Sequence, residues 1–148
     1  MDNAIDIREI AACSCLRVRR TARGMTRLYD RTLEPAGLTV NQFGLLANLQ
    51  GDAAGLSIRT LAGRLGMDPT TLNRDLKPLK AEGLVRDAAD PGDRRVRLVL
   101  ITAKGRARLT RAVPLWRRAQ QGMEELLGRE TMRRMNALLD GVWSRMAA

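Results

Sequence analysis

Apolar residues recur at helical spacing along most of the chain, and the exceptions fall in one short stretch. Across residues 8–33, Ile10, Leu16, Met25, Leu28 and Leu33 mark a long basic helix that Pro35 and Gly37 in "EPAGLT" bring to a stop. Thr39 is a good N-cap for a second helix carrying Phe43, Leu46 and Leu49 up to Gly51. "GDAAG" (51–55) reads as a loop. Ser57 then caps a short helix with Ile58, Leu61, Ala62 and Leu65 on one side, ended by Gly66. Asp68 supplies the next N-cap, and Pro69 occupies the first helical position, where a missing N–H is no loss. Two short helices joined by the tight turn Gly66-Met67-Asp68 have the sequence form of a helix-turn-helix.

The helix after that turn has two distinct sides. At about 100° per residue, Leu72, Leu76 and Leu79 gather on one, and Thr70, Asn73, Arg74 and Lys77 lie nearly opposite. Any surface helix is polar somewhere, but these side chains are donors suited to phosphates and base edges, and no acid interrupts their central stripe. Pro78 cannot donate to the Arg74 carbonyl and crowds that turn, so a kink or loosened turn is expected there, affecting Lys80 more than the first turns. Gly83 ends the helix, Leu84-Val85 opens a strand, and "ADPGD" turns it back. The alternation from Arg95 to Ile101 predicts Val96, Leu98 and Leu100 facing inward, with Arg95, Arg97 and Val99 on the other face. Two long helices, about 103–127 and 130–146, complete the chain; they carry Leu109, Val113, Trp116, Met123 and Leu127, then Met132, Met135, Leu139, Val142 and Trp143.

Charge adds a class of partner. Among 148 residues, 26 Lys and Arg against 16 Asp and Glu give a net charge of +10, which suits a polyanion, either nucleic acid or an anionic membrane. The excess is uneven: no acid occurs from Arg94 to Met123 or from Ile10 to Tyr29. Chemistry, by contrast, is nearly excluded. The chain has 0 His, which removes the usual general base, the commonest zinc ligand and every Ser-His or Cys-His dyad. Cys13 and Cys15 form a lone C-x-C without a second pair to complete a metal site, and no glycine-rich phosphate loop is present. We expect no enzyme, no cofactor and no metal site. No apolar run approaches the roughly 20 residues that span a bilayer, and the N-terminus lacks a signal-peptide core, so a cytoplasmic protein without membrane contact is expected.

The run "LAGRLGMDPTTLNRDLKPLKAEGLVRDAADPGDRRVRLVLITAKG" (61–105) resembles the core of the MarR family of winged helix-turn-helix regulators. Its matching elements are L-x-x-x-G-L-V (Leu79 to Val85), D-x-R (Asp93-Arg94-Arg95) and L-T-x-K-G (Ile101 to Gly105, with isoleucine for the leucine). The order of helices and wing agrees along nearly the whole chain. The resemblance implies one domain over 1–148, mainly α with a small β wing. A winged helix-turn-helix would span about 38–104, between long dimerisation helices at about 5–34 and 105–147.

It also implies a homodimer on palindromic double-stranded DNA, with half-sites about 34–36 Å apart. Thr70, Thr71, Asn73, Arg74 and Lys77 would then read the groove or its phosphates. In the wing, Arg95 would probe the minor groove, held by Asp93, and Arg94 would meet a phosphate. The physics agrees, because a narrow minor groove concentrates negative potential and rewards an inserted guanidinium. The dimer interface would use Ile5, Ile7 and Ile10 with Met135, Leu139, Val142 and Trp143, which have no obvious partner in the winged module. Family members are released from DNA by a small molecule or by oxidation of a cysteine. Cys15 is the candidate redox sensor, with Arg19 and Arg23 one and two turns on. The hydroperoxide-sensing branch places a tyrosine shortly after its cysteine, and here that stretch is Leu16 to Arg19. Cys13 is a poor resolving partner, because residues two apart on a helix point in different directions and a bridge would require local unwinding. The expected function is a sequence-specific repressor released by a small ligand. The alternatives are a thiol-based repressor of the same fold and a non-specific architectural DNA-binding protein.

Overall fold

A computed structural model describes residues 5–147. The helices are α1 (Ile7–Ala11), α2 (Ser14–Leu33), α3 (Val40–Gln50), α4 (Ile58–Leu65), α5 (Pro69–Ala81), α6 (Ala103–Leu127) and α7 (Arg129–Met146), with a 3-10 turn at Glu34–Ala36. Strands β1 (Leu56–Ser57), β2 (Val85–Ala89) and β3 (Arg97–Ile101) form an antiparallel sheet in the order β1-β3-β2. The caps explain most boundaries. Thr39 and Gln42 form a reciprocal capping box at α3, Ser57 accepts from the Thr60 N–H at α4, and Asp68 accepts from the Thr71 N–H at α5.

Leucine builds the core. Leu33, Leu45, Leu46, Leu49, Leu61, Leu72, Leu76, Leu79 and Leu84 are fully buried under the winged module. A smaller cluster of Tyr29, Ala119, Met123 and Met132 forms where α2, α6 and α7 meet. Trp116 packs against both clusters and stacks on Phe43, ring centroids 5.8 Å apart, so α6 ties the two together. The Tyr29 hydroxyl donates to Gln120, joining α2 to α6.

Two expectations need correction. First, the N-terminal helix is broken: Cys13 takes non-helical backbone angles (φ −58°, ψ 117°) between α1 and α2. The Ala12 carbonyl, which a continuous helix would use internally, accepts instead from the Arg17 guanidinium. Second, the inner face of β3 carries Val99 and Ile101, whereas Val96, Leu98 and Leu100 are only half-buried. β3 is the central strand, and its pairing of Ile101 with Val85 and of Val99 with Leu56 turns that register toward the core. Arg95 lies in the turn rather than the strand, and β1 had no sequence signal at all. α5 continues through Pro78 to Ala81. Lys80 is directed by an ion pair with Asp87 of β2, at 2.9 Å.

The I-T-x-K-G segment is a fastening. Thr102 donates its hydroxyl to the Gly83 carbonyl (2.6 Å), its N–H to the Leu84 carbonyl (3.0 Å), and accepts from the Gly105 N–H (3.0 Å). Lys104 Nζ donates to the Glu82 carbonyl at 2.7 Å. Gly105 has to be glycine, because a Cβ there would fall on the Leu84 carbonyl oxygen. Gly105→Ala should therefore lower stability by about 1–3 kcal/mol, the usual cost of overpacking. Gly122→Ala on the same helix, with nothing near its Cβ, should not destabilise. Urea unfolding of both variants is the check; equal midpoints would refute the fastening.

Candidate nucleic-acid interface

α5 is held from beneath by Leu72, Leu76 and Leu79, all fully buried, which leaves Thr70, Asn73, Arg74 and Lys77 exposed on its far side. Its start is fixed by Asp68, whose carboxylate accepts from the Thr71 N–H (3.0 Å) and hydroxyl (2.6 Å). Those donors, the Thr71 hydroxyl foremost, hold the Asp68 carboxyl below the usual carboxylate range. Thr71 is thus half-buried and engaged in the cap, whereas Thr70 beside it is exposed. Asn73 donates one amide hydrogen to the Pro69 carbonyl at 2.9 Å. Thr70 and Lys77 make no side-chain bond among the described residues, and Arg74 has only a loose approach to Asp75 at 3.8 Å.

The wing tip separates its two arginines. The loop is closed by Asp90 N–H donating to the Val96 carbonyl (3.0 Å), and inside it the Val96 N–H donates to the Asp93 carbonyl (2.9 Å). Asp93 accepts from the Arg95 backbone N–H and Nε, both at 3.1 Å, and from Nη2 at 3.2 Å. The Arg95 guanidinium beside it, then the backbone N–H, hold the Asp93 carboxyl below its ordinary range. The Arg95 side chain is nonetheless 91% exposed. A surface pair of this kind contributes little to stability. Its effect is to fix the rotamer of a long side chain that would otherwise lose that freedom on binding. Arg94 is exposed and has no side-chain partner among the described residues. Two further basic residues, Arg86 on β2 and Arg97 on β3, are also exposed beside the wing; sequence reasoning did not single them out because alternating basic residues on a hairpin are common.

The candidate interface residues divide. Ile5, Ile7, Ile10, Leu139, Val142 and Trp143 are exposed, whereas Met135 is half-buried against the α2/α6/α7 cluster of its own chain. Trp143 also lies against Gly66 of its own chain. Cys15 is exposed and Cys13 half-exposed, both as free thiols. No helix among the described residues is long and apolar enough to cross a membrane.

A short helix, a tight turn, a second helix with an unburied basic side and an adjoining three-stranded wing define a winged helix-turn-helix protein. A profile of the MarR family matches residues 36–96. The structure of the transcriptional regulator MosR of M. tuberculosis in complex with DNA is similar at 39% identity over 90% of this chain and 98% of that one, with a TM-score of 0.77. The transcriptional repressor CouR of Rhodococcus jostii, bound to a 23-mer DNA duplex, is similar at 26% identity over 95% of this chain and 99% of that one, with a TM-score of 0.79. The HTH-type transcriptional regulator TtmR of Methylorubrum extorquens is 37% identical over 92 residues, 62% of this chain and 47% of TtmR. That match accounts for about half the length of the relative. The chain belongs to the MarR family of winged helix-turn-helix transcriptional regulators.

Asp93→Asn keeps the acceptor shape and removes the charge. It should free the Arg95 guanidinium, seen as a shifted and faster-exchanging Nε–H signal by NMR, with an unchanged thermal midpoint. Acid should do the same. Because pairing depresses the Asp93 pKa, the clamp is complete above the ordinary carboxylate pKa and is lost as pH falls through the lower, paired value. An Arg95 signal identical in the variant would mean the pair does not form.

Proposed function

We propose that this chain acts as a homodimer in the cytoplasm, represses transcription by occupying a two-fold DNA operator, and performs no catalytic chemistry of its own. The observation that carries the reading is the Arg95 guanidinium, held by Asp93 at the exposed tip of the wing beside a helix whose Thr70, Asn73, Arg74 and Lys77 face outward. The wing would enter the minor groove while α5 lies in the major groove, with Arg94 and Lys77 on phosphates. The DNA-bound relatives support this docking. Release by a small ligand is supported by a cavity of about 290 Å³ between α2 and α7, lined by Val18, Thr21, Ala22, Met25, Met135 and Leu139 with Arg17 at its edge.

The test uses duplexes selected from a random library against scrambled controls, each titrated at two salt concentrations. Arg95→Ala should lose about 1–3 kcal/mol on the selected duplex. Arg94→Ala and Lys77→Ala should weaken both duplexes alike and reduce the salt slope by about one. Unchanged specific affinity in Arg95→Ala would remove the wing from the interface. Equal affinity of the wild type for both duplexes would favour an architectural DNA-binding protein instead.

A second reading, release by oxidation, is favoured by the helix break. Cys13 is the non-helical N-cap of α2, so pairing with Cys15 would disturb only the first residues of that helix. A hydroperoxide would oxidise the exposed Cys15 thiol to sulfenic acid, releasing the alcohol; Cys13 would then attack it to form the disulfide and release water. Organic hydroperoxide should then release DNA from the wild type but not from Cys15→Ser, and Cys13→Ser should stop at the sulfenic acid. Continued DNA binding by the oxidised wild type would leave ligand release as the surviving route.

A further inference from the structure

The turn between α4 and α5 is touched by the far end of the chain. Gly66 closes α4 in the left-handed conformation (φ 63°), and the Met67 N–H donates to the Ala62 carbonyl at 2.9 Å. Two residues later Asp68 starts α5, so the angle of this turn sets how Thr70 and Arg74 are presented. The benzo edge of Trp143 rests on the bare Cα of Gly66: a Cβ there would lie 2.7 Å from Cη2 and 3.0 Å from Cζ3. Trp143 stays 47% exposed, so it acts against the turn rather than as deep core. Met135, Leu139 and Trp143 succeed one another at four-residue spacing on α7, a single side of that helix. The first two line the cavity against α2, and the third reaches the turn.

We propose that Trp143 is a positioning residue for DNA reading: its indole, seated on Gly66, fixes the turn and therefore the orientation of α5. The inference rests on the DNA-binding reading above. A glycine at this corner then serves two needs, the left-handed backbone and the room for the indole. Movement of α7 would be passed to α5 through this contact.

A double-mutant cycle tests the contact. Gly66→Ala carries the backbone strain of any left-handed glycine, which Gly83→Ala (φ 71°, nothing near its Cβ) measures separately. Gly66→Ala should be more damaging than Gly83→Ala, and Trp143→Ala should relieve the excess, leaving the pair non-additive by roughly tenfold in the unfolding constant. Additive effects would overturn the contact. Its role is read as the affinity ratio between selected and scrambled duplexes. Trp143→Ala should lower that ratio about tenfold with the salt slope unchanged, and Trp143→Phe should restore most of it. An undiminished ratio in Trp143→Ala would overturn the positioning role. If Trp143→Ala does not fold or dimerise, Trp116→Phe leaves Trp143 the sole indole of the chain's two. Its emission should then shift on adding the selected duplex, and an unmoved spectrum would overturn the proposal. Failure of the DNA reading itself looks different: the wild type would not distinguish the two duplexes at all.

Discussion

The reading surface depends on a single carbonyl, that of Leu84. Its oxygen accepts the Thr102 N–H at 3.0 Å and has the bare Cα of Gly105 pressed against it. The Leu84 N–H donates to the Leu79 carbonyl at 2.9 Å, which closes the end of α5. Its side chain is fully buried, and Val85 begins β2 directly after it. One residue therefore joins the C-terminus of α5, the root of the wing and the start of α6. A second tie lies close by, where Arg108 of α6 reaches Glu82 (3.1 Å) and the Gly37 carbonyl (3.4 Å). Neither α5 nor the wing can tilt freely while these bonds hold, so their relative position is a property of the core.

The fold was legible wherever a local rule set it. Thr39, Ser57 and Asp68 cap because their side-chain oxygens satisfy N–H groups that a helix start leaves open, and that need is visible in four residues of sequence. The leucine stripe of α5 needed only helical spacing. What failed lacked a signal of that kind. Residues 98–101 are all apolar, so period two offers two phases, and the choice was made by β1, a two-residue strand too short to announce itself. The break at Cys13 contains neither Gly nor Pro; the guanidinium of Arg17, a turn further on, accompanies it, and no breaker residue marks it.

The arrangement of counter-ions decides what the excess charge is for. Arg64 pairs with Asp52, Arg108 with Glu82, Arg129 with Glu124, and Arg133 and Arg134 share Glu130. Along α7 and at the helix junctions, then, basic residues are largely neutralised by local acids. On the outward side of α5 and on the wing, Lys77, Arg86, Arg94 and Arg97 have no acid partner among the described residues. Asp93, beside the two arginines at the wing tip, leaves Arg95 91% exposed. An acid placed to neutralise would cover the charge; this one braces it. The net +10 is carried mostly by α2 and α6; what α5 and the wing add is basic donors left free of acid partners, which a phosphate backbone rewards. Loose charges such as Arg94 and Lys77 suit contacts that carry affinity without sequence. A braced planar guanidinium suits the contact that must enter a groove at a fixed angle, and the two adjacent arginines of the wing divide those tasks between them.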